Sequence, residues 1–205
     1  MVLRHYAEVM DERAKMLEEL GTVLTEVGSD HALMGGLAVG HYGRPRATID
    51  VDILVPRSKL TALRDALERR GYSVSVSTDG LRVFPVGSPA TDEDEAIADI
   101  VAKDSHVVLG AAFAETEPAS VLGHSVKVVR RGALVALKFH AASSVTRKHA
   151  DRLQDVVDIE RIITKGFDPV DAALARRIAE LSYPGAADDL ERLIDDLKHG
   201  RPITF

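Results

Sequence analysis

The 205-residue chain has no cysteine, which removes disulfides, zinc–thiolate centres and thiol nucleophiles together. It has no apolar run approaching the roughly 20 residues that a membrane span requires. Residues 1–20 carry Arg4, Glu8, Asp11, Glu12, Arg13, Lys15, Glu18 and Glu19, so the apolar core of a signal peptide is missing too. A cytoplasmic protein with no membrane partner is expected. A basic excess is also absent. The formal net charge of −6 argues against a broad grip on duplex nucleic acid, which depends on many lysine and arginine contacts to phosphate, but leaves room for a local groove taking a triphosphate or an RNA end. Internal repeats and low-complexity segments are lacking. With aromatics at only 4% of residues, Tyr42 beside Gly43 reads as a core side chain before a base-stacking one.

What is present is enough apolar content, 45%, to build a core in one domain or two small ones. Apolar positions at Leu3, Tyr6, Val9, Met10, Leu17, Leu20, Val23, Leu24 and Val27 repeat near 3.6 and predict one amphipathic helix, with Gly21 as a point where it could break. His31–Met34 reads as a short buried strand entering the Gly35-Gly36 corner, and Leu37–Tyr42 as one or two helical turns leaving it. Gly43–Arg46 is a loop that delivers a central strand over Ala47–Val55. Ser58 is read as the N-cap of a helix over Lys59–Arg70, ended by Gly71. Tyr72–Ser77 and Leu81–Val86 alternate like the arms of a hairpin, Gly87–Glu95 is a surface loop, and Ala96–Ala102 is another apolar strand. Ser125–Arg130 is a further short strand. Helical patterns then follow over Arg131–Ala142, Thr146–Thr164, Val170–Leu181 and Ala186–Leu197. The expected architecture is α/β up to about residue 130, with a mixed sheet flanked by helices, and a helical portion over 131–205 packed on it.

The chemistry concentrates in Met34–Val55, MGGLAVGHYGRPRATIDVDILV. Side chains alternate faces along a strand, so Asp50 and Asp52 point one way while Val51 and Ile53 point the other. Two like charges held side by side cost energy unless a cation neutralises them, and oxygen donors of this kind suit Mg²⁺ or Mn²⁺. Asp99, the single acid in Ile97–Val101, joins them if its strand lies beside the first. Three carboxylates of this kind support in-line phosphoryl or nucleotidyl transfer. Gly35-Gly36 brings side-chain-free backbone within reach of phosphate oxygens. Lys138 is the only charge from Ala133 to Ala141 and needs a polar partner such as a triphosphate. Arg147, Lys148, His149 and Arg152 form a basic run, which is either a solvated helix face or a guide for an anionic acceptor. The other histidines lack the paired spacing of a zinc site.

Gly35-Gly36, thirteen residues, Asp50-Val51-Asp52-Ile53 and a distant Ala98-Asp99-Ile100 resemble the signature of the nucleotidyltransferase superfamily related to DNA polymerase β. Arg46-Ala47-Thr48 and the helical second half look most like the AbiEii and MenT-type toxin branch. The resemblance implies metal-binding and catalytic roles for Asp50, Asp52 and Asp99, nucleotide phosphates at Gly35 and Gly36, and support of the loop or triphosphate by Arg46 and Thr48. It adds Lys138 and Asp155, the latter within a segment resembling R-x-K-D-x-x-D-L that here reads Arg152-Leu153-Gln154-Asp155-Val156-Val157-Asp158-Ile159, with Gln154 where lysine is usual. The implied activity is transfer of NMP from an NTP to an acceptor hydroxyl with Mg²⁺ or Mn²⁺. The acceptor implied is a tRNA or other RNA end, in a toxin with a cognate antitoxin partner. A small antibiotic-type molecule, a protein hydroxyl, or a catalytically silent nucleotide-binding or interaction module are the alternatives.

Overall fold

The amphipathic pattern of residues 3–27 forms α1, Val2–Glu26, without a break. Gly21 sits on its exposed side with open space where a Cβ would stand, and glycine there costs only about 1 kcal/mol relative to alanine. This computed structural model describes residues 2–44, 48, 50–88 and 96–203, with side chains from residue 9 onward. Arg46, Ala47, Ile49 and most of the Gly87–Glu95 loop lie outside the described residues, and the expected Ala47–Val55 strand begins at Val51, with Thr48 and Asp50 preceding it.

After α1 come β1 (Ala32–Leu33), α2 (Gly35–Tyr42), β2 (Val51–Val55), α3 (Leu60–Arg69), β3 (Ser73–Val76), β4 (Gly80–Phe84) and β5 (Ala98–Ala102). Then follow α4 (Val107–Ala114), β6 (Thr116–Val121), β7 (His124–Val129), α5 (Arg131–Ser143), α6 (His149–Ile163), α7 (Pro169–Ala179) and α8 (Ala186–His199). The seven strands form one mixed sheet in the order β3-β4-β5-β2-β1-β7-β6. The pairs β2–β5 and β1–β7 are parallel, and the other neighbours are antiparallel.

Two details differ from expectation. Ser58 does not cap α3: residues Arg57–Lys59 form a 3₁₀ turn that leads straight into the helix, whose N-cap is Lys59 with no side-chain hydrogen bond. The turn satisfies the first backbone groups itself, as the amide of Lys59 donates to the Pro56 carbonyl. Residues 103–124, which carry no periodic signal, hold both α4 and β6. The α4 sequence VVLGAAFA is apolar all round; Val108 and Ala112 are buried where the helix packs on α5 and α7, while Val107 at its start is exposed. Pro118 fits β6 because β6 is an edge strand, where a missing N–H costs no ladder bond.

The sheet divides the molecule. Ile53 and Leu33 face α1 on one side, whereas Asp52, Asp99 and Val101 open on the other toward α5 and α6. Helix α5 packs against α2, α4, α6 and α7, and the apolar core runs without interruption from α1 through the sheet to α8. Among the described residues no helix is long and apolar enough to cross a membrane.

Candidate active site

Strand β2 places its carboxylates by the alternation read from sequence. Val51 and Ile53 are fully buried, while Asp52 between them is only partly so. In the parallel pairing with β5, Asp52 lies directly opposite Asp99, and in the antiparallel β4–β5 pairing Arg82 lies opposite Asp99. One row across three strands therefore reads Arg82, Asp99, Asp52. Asp50 stands two residues before Asp52, where the buried hydroxyl of Thr48 donates to its Oδ1 at 3.1 Å. Thr48 thus holds the carboxylate in place.

Oxygens of Asp50, Asp52 and Asp99 lie within 4.8 Å of one another. Burial first, then the charge of Asp50, pushes the Asp52 carboxyl up to about 7; Lys138 opposes this, Asp99 adds to it, and the Gly36 N–H opposes it as well. Burial and Asp50 also raise Asp99, against the pull of Arg82. Among the described residues, buried Asp99 Oδ1 makes no hydrogen bond, although Arg82 Nε is 3.4 Å away. Hard oxygen donors, surplus negative charge and a buried unsatisfied acceptor together fit a divalent cation of the Mg²⁺ or Mn²⁺ kind.

The glycine pair closes this corner. Gly35 opens α2 with φ +63°, and a Cβ built on it would stand 1.7 Å from Asp52 Oδ2. The amide of Gly36 donates to the same oxygen at 3.4 Å, so the amino end of α2 faces the carboxylates. Gly35→Ala is expected to lose about 1–3 kcal/mol from the left-handed backbone alone. It should also displace Asp52. Urea unfolding and the thermal shift caused by Mn²⁺ check both effects; a variant with wild-type stability and an unchanged Mn²⁺ response would refute the close approach.

Across the cleft, Lys138 Nζ lies 2.9 Å from Asp155 Oδ1 and 2.9 Å from Asp158 Oδ2. Both acids are buried on one face of α6, four residues after Asp151 and Gln154 respectively. Burial alone would lower the Lys138 pKa, but the two carboxylates outweigh it and hold the ammonium above its ordinary range. Arg161 pairs with Asp158 at 3.1 Å, Arg147 with Asp155 at 3.3 Å, and Gln154 donates to Asp158 at 3.0 Å. An ammonium has three N–H groups, so the two carboxylates leave Lys138 one for a ligand.

Asp50, Asp52, Asp99, Gly35, Gly36, Lys138 and Asp155 all line one cleft of about 500 Å³. Arg46 lies outside the described residues. Tyr42 is buried and donates to Glu117 Oε1 at 2.7 Å, which places it in the core and away from the cleft. Three residues near the cleft had no sequence signal. Arg82 depends on strand pairing. Buried Arg13 of α1 feels the charge of Asp50 across a distant part of the chain. His140 lines the cleft, stacks on His106 with ring centres 4.4 Å apart and shares a hydrogen bond with the Ser182 hydroxyl at 3.0 Å.

No family model and no curated protein matches the chain. Solved structures do. The solution structure of the antibiotic-resistance factor ANT(2'')-Ia superposes with a TM-score of 0.58 at 14% identity, covering 91% of this chain and 95% of that one. An antigenic nucleotidyltransferase-like protein from Paracoccidioides brasiliensis gives 0.57 at 17%, covering 94% and 89%. A crystal structure of ANT(2'')-Ia in complex with adenylyl-2''-tobramycin gives 0.50 at 18%, covering 91% and 97%. At these identities the likeness is one of fold, and it extends over nearly the whole length of each chain.

Proposed function

We propose that this protein is a metal-dependent nucleotidyltransferase that moves NMP from an NTP to an acceptor hydroxyl and releases pyrophosphate. The observation that carries this reading is the meeting of Asp52 and Asp99 on adjacent parallel strands with Asp50, just before β2, opposite a glycine-led helix start and a tethered lysine. The nucleotidyltransferase fold supports it. The three carboxylates would hold the divalent cation, which supplies Lewis-acid polarisation of the reacting phosphate. The amino end of α2 and the free N–H of Lys138 bind the triphosphate oxygens. The acceptor oxygen attacks the α-phosphorus, the bond to the β-phosphate oxygen breaks, and pyrophosphate leaves with that electron pair. Asp99 is the carboxylate that would take the hydroxyl proton.

A small polyhydroxylated acceptor is the reading favoured by the cleft's charges. Of the basic run, half-exposed Arg147 is paired with Asp155, and Arg152 Nε donates to the Ala142 carbonyl at 2.6 Å, so two of its cations already have partners on the protein. The full-length likeness to an antibiotic-resistance factor supports the same choice. An RNA end, in a toxin kept in check by an antitoxin, is the second reading. It is carried by the resemblance to AbiEii and MenT-type toxins and by exposed Lys148 and His149 at the start of α6. Incubation with α-³²P-labelled NTPs, Mg²⁺ and either tobramycin or total RNA separates the two, with Asp99→Asn as control. Label on tobramycin, lost in the control, is the expected result. Label on RNA alone selects the second reading, and no label on either acceptor would count against transfer to both.

A further inference from the structure

We infer that the α4 side of the cleft is the subsite for the nucleobase, with the His140 ring as the surface on which the base stacks. This rests on the transfer reading above and assigns the end of the NTP that the metal and triphosphate contacts leave open.

Lys138 and His140 stand about 160° apart around α5, at the two edges of the arc that lines the cleft, with Leu137 and Ala141 between them. Lys138 turns to Asp155 and Asp158 of α6, whereas His140 turns to His106 at the start of α4. On the sheet, Val101 shares the face of Asp99 and stands about 7 Å further along β5, in the direction of α4. Leu109 of α4 lines the same side. One edge of the cleft is therefore charged, and the other is built from aliphatic side chains and an imidazole.

The imidazole is held twice. The His106 ring stacks on one face, with ring centres 4.4 Å and planes 29° apart, and Nδ1 shares a hydrogen bond with the Ser182 hydroxyl at 3.0 Å. His106 is itself fixed as the N-cap of α4, where its Nδ1 accepts the Val108 amide at 3.2 Å. That bond needs a lone pair on Nδ1, so the backing ring is the neutral Nε2–H tautomer. Burial, and then His106, lower the His140 pKa, which leaves this ring neutral at pH 7 as well. The second face of His140 and its Nε2 remain for a ligand.

A neutral ring with a stacked ring behind it and branched aliphatic neighbours suits a flat heteroaromatic group. Every base has a π-face, and stacking needs no matched hydrogen bonds. An acceptor sugar, puckered and rimmed with hydroxyls, would lose water against aliphatic carbon at this edge with little in return. The triphosphate then reaches the amino end of α2 and Lys138, while the base lies toward α4.

In Mg²⁺, wild type, His140→Ala and His140→Phe are titrated by calorimetry with each of the four NTPs and with inorganic tripolyphosphate, which has no base. Wild type should bind at least one NTP more tightly than tripolyphosphate. For that NTP, His140→Ala should weaken binding about 5-fold or more while tripolyphosphate binding changes less than about 2-fold. His140→Phe loses the Ser182 hydrogen bond but keeps an aromatic face, and should recover most of the affinity. The chain has no tryptophan, so His140→Trp supplies a single fluorophore whose emission a stacked base should quench and tripolyphosphate should not. Should His140→Ala fail to fold, His140→Leu takes its place. No advantage of any NTP over tripolyphosphate, equal losses for both in His140→Ala, no loss at all, or a phenylalanine variant no better than the alanine one would overturn the subsite. Pyrophosphate release, measured separately, tells the two readings apart. A base-dependent loss without turnover keeps the subsite and counts against transfer, turnover indifferent to His140 does the reverse, and a wild type that binds no NTP overturns both.

Discussion

Asp52→Asn is expected to abolish transfer by at least about 10³-fold and, at the same time, to stabilise the metal-free protein at pH 8. The two effects have one cause. Asp52 is raised from the ordinary carboxyl value of 3.8 to about 7, mainly by burial and then by Asp50. Between those values the folded protein keeps a proton that the unfolded chain releases. A raised carboxyl therefore contributes no penalty below about pH 4, an increasing one as pH climbs toward 7, and a constant one above. At about 1.4 kcal/mol per pKa unit, three units bound the penalty at about 4 kcal/mol. Asparagine removes the charge while its carbonyl can still accept from Gly36. The variant should thus unfold at higher urea than wild type at pH 8 and at nearly the same urea at pH 4. Mn²⁺ should raise the wild-type melting temperature more at pH 8 than at pH 5, and raise that of the variant little at either. A variant that is less stable than wild type at pH 8 would show that the strand does not strain against its own charges.

Lys138→Met is expected to cost about 3–5 kcal/mol, because removing one partner of a buried ion pair strands the other. Asp155 and Asp158 are 3% and 0% exposed. Arg147 and Arg161 remain to them, which places the loss toward the lower end of that range. The Lys138 pKa is raised in the folded state, so its contribution is complete below the ordinary value of 10.5 and fades only as pH rises beyond it. Losing this cation should also raise the Asp52 pKa further, since Lys138 now lowers it. Lys138→Arg keeps the charge but replaces a compact ammonium seated between two carboxylates with a planar fork. Urea unfolding at pH 7 measures the stability effect. The KM for NTP, rising by 10-fold or more in both variants, separates the loss of a triphosphate contact from a purely structural role. Unchanged stability in Lys138→Met would mean that the two aspartates do not depend on it.

The site was legible where its chemistry conflicts with its local environment. Asp50 and Asp52 on one strand face, and Asp99 alone in an apolar run, stand out because acids are depleted in such strands. Strand pairing then brought Asp99 opposite Asp52, as an adjacent strand should. Gly35 was harder to interpret, since paired glycines serve many turns. Its specific reason, a left-handed backbone pressed on Asp52, exists only in three dimensions. Residues 103–124 stayed silent because α4 carries only apolar residues and glycine, exposed Val107 included, and β6 carries a proline, so neither shows the period that marks a half-exposed element. Lys138 stood out as a lone charge needing a polar partner, but its tether to Asp155 and Asp158 sets α5 against α6 and became visible only with the packing of the helices. Arg13 and Arg82 were silent for the same reason.

The most direct test of nucleotidyl transfer compares two labels on one NTP. With Mg²⁺ and a hydroxyl-bearing acceptor, α-³²P should appear on the acceptor while γ-³²P appears only in pyrophosphate, in equal amounts, and Asp52→Asn should show neither. Label on the acceptor from the γ-position, or equal incorporation by wild type and Asp52→Asn, would contradict the account.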